Sequence, residues 1–214
     1  MNTTTRVWTL GCLLVLAPPP CGAADHPVHG WTLSVTNPIP NNPHLRHVAV
    51  SGRDGFDPVA LPFVGDPIAD GVTLTLFTEG ASSANQAFVL PPGGFHEPNG
   101  PGWRVSRSSR RPRVVYTYVD ERGENGSIVS FILYYWQGRR IRIGAVADGR
   151  GNNPTIDVVP PNPGTGGGLI VQIPGGDRFC AVFGGAVGGK IGKTNDATTF
   201  RIKHARSALC PPSD

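Results

Sequence analysis

The sequence predicts an all-β fold, an antiparallel β-sandwich of roughly 10–12 short strands with long Pro/Gly loops. Three observations carry that expectation. The 214 residues include 29 Gly and 22 Pro, about twice the roughly 12% that the two residues usually share. Charged residues make up 16% of the chain, against about 25% in an average domain. Strand-like runs alternate with period two, and no 11-residue window shows a helical repeat. This combination excludes a coiled coil or helical bundle. The glycines have no period of three, which excludes collagen. A hydrophobic content of 39% with a net charge of +4 excludes a charged disordered chain.

The N-terminus reads as an export signal. Arg6 supplies a positive start, Val7 to Ala17 an apolar stretch, Pro18 to Pro20 a break, and Gly22-Ala23-Ala24 the small residues of a cleavage site. The apolar stretch is too short for a permanent bilayer span, which needs about 20 residues. Residues 1–24 are therefore expected to be a signal peptide cut after Ala24, leaving 25–214 as one domain. The product would be secreted, periplasmic or held at the cell surface. Acylation of Cys21 is the alternative processing, but Pro18 to Pro20 suit that site poorly. No other run is long and apolar enough for a transmembrane helix. The strongest, Ile128 to Trp136, has the length of a strand.

The strand candidates follow in three groups. Residues 31–36, 45–51, 72–78 and 84–90 form the first. Residues 113–119, 127–135 and 139–146 form the second, and 155–159, 168–173, 178–183 and 198–205 the third. Val72, Leu74 and Leu76 share a face opposite Thr73 and Thr75. Ile141 and Ile143 oppose Arg140 and Arg142. Phe200, Ile202 and His204 oppose Thr199, Arg201 and Lys203. Such alternation marks strands with one buried and one wet face. Asn125-Gly126, Gln137-Gly138 and Asp148-Gly149 supply reversals. Two Pro/Gly stretches, 91–102 and 160–168, are candidate internal seams, the second with the composition of a flexible linker.

Export would remove Cys12 and Cys21. An even pair, Cys180 and Cys210, then remains and suggests one disulfide. Two cysteines with no histidine at finger spacing do not make a zinc site.

Three blocks resemble an uncharacterised all-β module of exported bacterial proteins: NPHLRHVAVSGRDG, DGVTLTLFTEGASSANQAFVLPPGGF and DRFCAVFGGAVGGKIGKTNDATTFRIKHARSALCP. Together they span most of residues 37–211. The third block is the most specific, with its F-C-x-x-F-G-G start, its Lys-rich or Asp-rich turn, its Phe-x-x-Lys strand and its closing Cys-Pro. The resemblance implies an extracellular all-β fold and supports the Cys180–Cys210 bridge. It implies no activity and supplies no catalytic residues. The Arg-rich middle of this chain departs from the pattern.

No nucleophile motif, zinc-protease motif or phosphate loop is present. His26 and His29, like His44 and His47, are spaced i, i+3, but in extended sequence such pairs point to opposite faces. They read as exposed polar histidines. His96-Glu97 reads as a loop pair. Asp54, Asp57, Asp66 and Asp70, and the group Asp148, Asn152, Asn153 and Asp157, have the oxygen chemistry of Ca²⁺ ligands. Neither matches a known Ca²⁺ loop spacing, so solvated turns are expected, and no metal or cofactor.

The sharpest local feature is basic. Trp103, Arg104, Arg107, Arg110, Arg111 and Arg113 fall within eleven residues, with Arg139, Arg140 and Arg142 nearby. Guanidinium groups beside aromatic planes suit anionic sugars or phosphates. Export favours an anionic glycan or an envelope component over nucleic acid as partner. The competing reading is a solvated loop in a chain that prefers Arg to Lys. The function expected is thus a secreted non-catalytic β-sandwich module that binds anionic polysaccharide or the cell envelope. The alternatives are an extracellular hydrolase of glycan or ester using loop carboxylates and His96, or a structural segment of a surface layer.

Overall fold

Period-two alternation becomes a single curled sheet, whose inner face is apolar along almost its entire width. The computed structural model describes residues 23–53, 64–96, 98, 100–108, 110, 113–136, 140–151, 156–207 and 209–212. The first strands are β1 (Asp25–Thr36), β2 (His47–Arg53), β3 (Val72–Gly80) and β4 (Ala84–Leu90). β5 (Gly102–Ser108), β6 (Arg113–Val119), β7 (Ile128–Trp136) and β8 (Arg140–Asp148) follow as a meander. β9 (Gly164–Gln172), β10 (Arg178–Phe183), the two-residue β11 (Lys190–Ile191) and β12 (Thr199–Lys203) complete the sheet. A single helical turn, α1 (Pro67–Asp70), precedes β3. Asp66 caps it by accepting the N–H of Ile68.

The strand order is β4-β3-β9-β10-β1-β2-β8-β7-β6-β5. β1 is the pivot. Residues 25–29 pair with β10 in parallel, while residues 32–36 pair with β12 antiparallel. β10 and β12 thus lie end to end along one edge of β1, with β2 along the other. The expected two-sheet sandwich is corrected to a half-barrel, because the ladder runs unbroken from β4 to β5. One parallel pair joins halves that would otherwise be separate layers.

The inner face carries Leu74, Leu76, Leu169, Val171, Phe179, Leu33, Val50, Ile143, Leu133 and Tyr118, all 3% exposed or less. The two ends of the sheet approach each other beyond β4. The N–H of Trp103 donates to Gly93 O and its carbonyl accepts from Phe95 N–H. The indole Nε1 of Trp103 donates to Pro91 O at 2.8 Å. The stretch 91–102, expected to be a seam, therefore ties one sheet edge to the other.

Several sequence expectations change. β1 begins six residues before the predicted start, because β10 gives its first half a partner. The second strand starts at His47, after a 3-10 turn at Pro43–Leu45. Residues 156–159 are not a strand, although Ile156 and Val158 are buried. The supposed linker 160–168 ends as β9. Its glycines are there because the sheet is crowded: a Cβ on Gly164 would lie 2.4 Å from the Phe200 ring, and one on Gly168 2.5 Å from the carbonyl of Ala181. The expected bridge joins Cys180 on β10 to Cys210, with Cα atoms 5.6 Å apart. It pins the segment after β12 to the outer side of the sheet. No helix among the described residues is long and apolar enough to cross a membrane. Residues 1–22, and with them Cys12, Cys21 and most of the expected signal peptide, lie outside the described residues.

Candidate basic face

The arginine-rich segment is a sheet edge. Trp103 to Ser108 belong to β5, which pairs with β6 in the register Trp103↔Tyr118, Arg104↔Thr117 and Arg107↔Val114. Alternation splits the predicted set. Trp103 points inward and is 2% exposed, packed edge-on against Tyr118 and Phe131 at 5.3 and 5.9 Å. This corrects its assignment as a binding platform: its ring is core. Arg107 shares the inner side at the rim and bonds the Tyr116 hydroxyl. Arg104 turns outward over the Phe95 ring at 3.7 Å. Arg110 lies exposed in the turn after β5. Arg113 starts β6, opposite Trp136 and, one strand further, Arg140. Arg111 and Arg139 lie outside the described residues. The five described members of the set do not converge.

A different basic set does converge, on the outer face of the sheet. Opposite residues in neighbouring strands share a face, and the register Tyr134↔Arg142↔Arg53 runs across β7, β8 and β2. The Arg142 guanidinium lies 5.7 Å from the Tyr134 ring centre. Between Gly30 and Thr32 the β1–β2 register shifts. The bulge turns Trp31 outward, where it is 39% exposed. The Arg53 guanidinium lies 3.1 Å above its ring, and His204 meets it edge-on at 4.4 Å. His204 sits just after β12 with φ 58, a left-handed turn that histidine tolerates better than most residues. Its N–H donates to Trp31 O, which fixes the ring beside the indole.

Beyond His204 the row opens into a hollow of about 560 Å³ lined by Lys190, Ile191, Gly192, Lys193, Thr194, Thr199, Arg201, Lys203 and His204. Among the described residues its lining holds four fixed cations and no carboxylate. The chain has only three lysines among 19 basic residues, and all three are here. Lys190 and Lys203 are directly opposed across β11 and β12. Like charges so placed repel. Beside the row, a shallower groove of about 340 Å³ crosses Thr32, Ser51, Gly144 and Ile132.

The remaining sequence candidates are engaged locally. His26 is largely buried against the Asp177 carboxylate at 2.8 Å, and His29 Nδ1 accepts the N–H of Ser207 at 3.0 Å. They are not the exposed histidines expected. Asp66 caps α1, and Asp70 accepts the N–H of Asp66. The Asp148 carboxyl feels burial, which raises its pKa, but bonds from Arg150 outweigh this and hold it below the usual range. His96 is exposed. Asp157 is exposed at the edge of Arg46's reach, 4.0 Å away. Asp54, Asp57, Glu97, Asn152 and Asn153 lie outside the described residues. No group of three metal-binding side chains occurs among the described residues.

The lysine hollow was missed because its residues are spread over a Gly-rich turn and a strand. One signal was available: in a chain of arginines, the only lysines fall within fourteen residues. Comparison with protein-family models, curated proteins and solved structures found no match. The class of the protein is therefore defined by the fold and the site: an all-β half-barrel with a basic, aromatic-studded outer face.

Proposed function

We propose that the chain is a secreted, non-catalytic β module that binds an anionic polysaccharide or an anionic component of the cell envelope. The observation that supports this best is the convergence of all three lysines and Arg201 around one hollow with no carboxylate among its described lining residues. Four cations held together repel one another, and an anion relieves that repulsion. Lysine suits a site for successive point charges, whereas the bidentate fork of arginine suits a single planar group. The adjoining Arg53–Trp31–His204 stack extends the site with a further guanidinium and a partly exposed indole that a sugar ring can touch. Export and the Cys180–Cys210 bridge are mutually consistent, since disulfides persist in oxidising compartments.

Dextran sulfate, polygalacturonate and neutral dextran form the test panel. The two polyanions should bind with an affinity that falls as salt rises, since bound charges release counterions. Neutral dextran should not bind. Equal binding to all three, or binding that ignores salt, ends the proposal.

A further inference from the structure

Asp177 lies between β9 and β10 and is 2% exposed. Its Oδ1 accepts the backbone N–H of Ala24 at 2.9 Å. Its Oδ2 accepts the N–H of Val64 at 3.1 Å and faces His26 Nε2 at 2.8 Å. Ala24 is held from its other side as well, because its carbonyl accepts the N–H of Arg178 at 2.9 Å. The first rung between β1 and β10 is thus built on Ala24, one residue before the strand itself.

A buried carboxylate is costly unless a charge or several donors meet it. Within an uncut chain Ala24 offers Asp177 one neutral N–H. As a chain terminus the same nitrogen offers an ammonium with three donors at the same place. A cut after Ala24 would remove the only partner of Asp177 Oδ1 among the described residues, and the Arg178 bond with it. We infer that the leader is cut between Ala23 and Ala24, so that the α-ammonium of Ala24 forms an ion pair with Asp177 and locks β1 onto β10. The inference rests on the export reading and moves the cut one residue upstream of the sequence expectation. Cys21 and Ala23 then stand third and first before the cut, both small enough for a leader peptidase.

The test is to express the full-length gene with its own leader in an exporting bacterium and determine the N-terminus of the recovered product by intact mass and N-terminal sequencing. Ala24 is the expected first residue. Asp25, or an acylated Cys21, overturns the inference and leaves export standing. An uncut product overturns both, so the two failures are distinguishable. A second readout is acetylation of the α-amine at neutral pH. In the folded product it should run at least about tenfold slower than in the denatured chain, the effect of a one-unit rise in amine pKa. Asp177→Asn should abolish most of that protection if it folds. Equal rates in the folded and denatured wild-type product overturn the inference without recourse to the variant.

Discussion

Replacing Lys190 by Glu should make the protein more stable and a poorer binder at the same time. Lys190 and Lys203 are Cα partners on adjacent antiparallel strands. Directly opposed like charges destabilise a ladder, and opposite charges stabilise it, by about 0.2–1 kcal/mol each. Exposure and salt take away part of that, leaving a gain of about 0.5–1 kcal/mol for the exchange. In a chain of this size about 1 kcal/mol moves Tm by roughly 2–4 °C, so calorimetry should show a rise of about 1–4 °C. Binding moves the other way. The lining loses two units of positive charge, and each basic residue near a polyanionic surface contributes about 1 kcal/mol at low salt. The Kd for dextran sulfate should rise about 30-fold. The slope of log K against log salt should shrink by at least about 0.7, one released counterion. Lys190→Gln should fall between wild type and Lys190→Glu on both scales. A raised Tm with unchanged affinity would remove the hollow as the binding site. A lowered Tm would refute the argument that these lysines are held against mutual repulsion.

Three other outcomes follow from the same structure. Changing Cys180 and Cys210 to Ser opens a loop of sequence separation 30, which should cost about 3.6 kcal/mol on the chain-entropy model and lower Tm by about 7–14 °C, measurable by calorimetry. Trp103→Ala empties a core position and should cost about 3–5 kcal/mol in urea titration. Trp103→Phe should restore most of that, and its affinity for dextran sulfate should equal wild type because the ring never reaches the outer face. Burial, with the charge of Asp177 adding to it, pushes the Tyr135 phenol up to about 12. Its neutral form is thus favoured in the folded state. The corresponding stability is complete below the ordinary tyrosine pKa of about 10 and disappears as pH rises toward 12, a loss approaching about 3 kcal/mol. Urea midpoints that stay level from pH 9 to 12 would contradict this. Tyr116 and Tyr118 are raised chiefly by burial too and act in the same direction.

Local pattern made most of the strands legible. Val72, Leu74 and Leu76 alternate with threonines whatever lies beside them, and the structure buries the apolar member of each pair. The Cys180–Cys210 pairing was legible as well, once the two N-terminal cysteines were assigned to a leader. The arginine cluster misled because proximity in sequence differs from proximity on a face. In a strand, successive side chains go to opposite sides. Trp103 therefore goes inward, Arg107 to the exposed rim of the same side and Arg104 outward, and β5, rich in Arg and Ser, reads as a loop in the sequence.

What the sequence determined alone is the content of the fold: strands, turns, one bridge and a wet face rich in cations. Each of these follows from interactions between residues close in the chain, or from composition. Which strands are neighbours was decided only in three dimensions. The parallel pairing of β1 with β10 joins residues about 150 positions apart, and no local preference encodes such a partner. That one pairing turns two prospective layers into a single half-barrel. It also brings Ala24 to Asp177, and it leaves the second half of β1 free for β12. The lysine hollow then forms beside Trp31 because β12 docks there. Its charges are visible in the sequence, but their convergence is a property of the sheet.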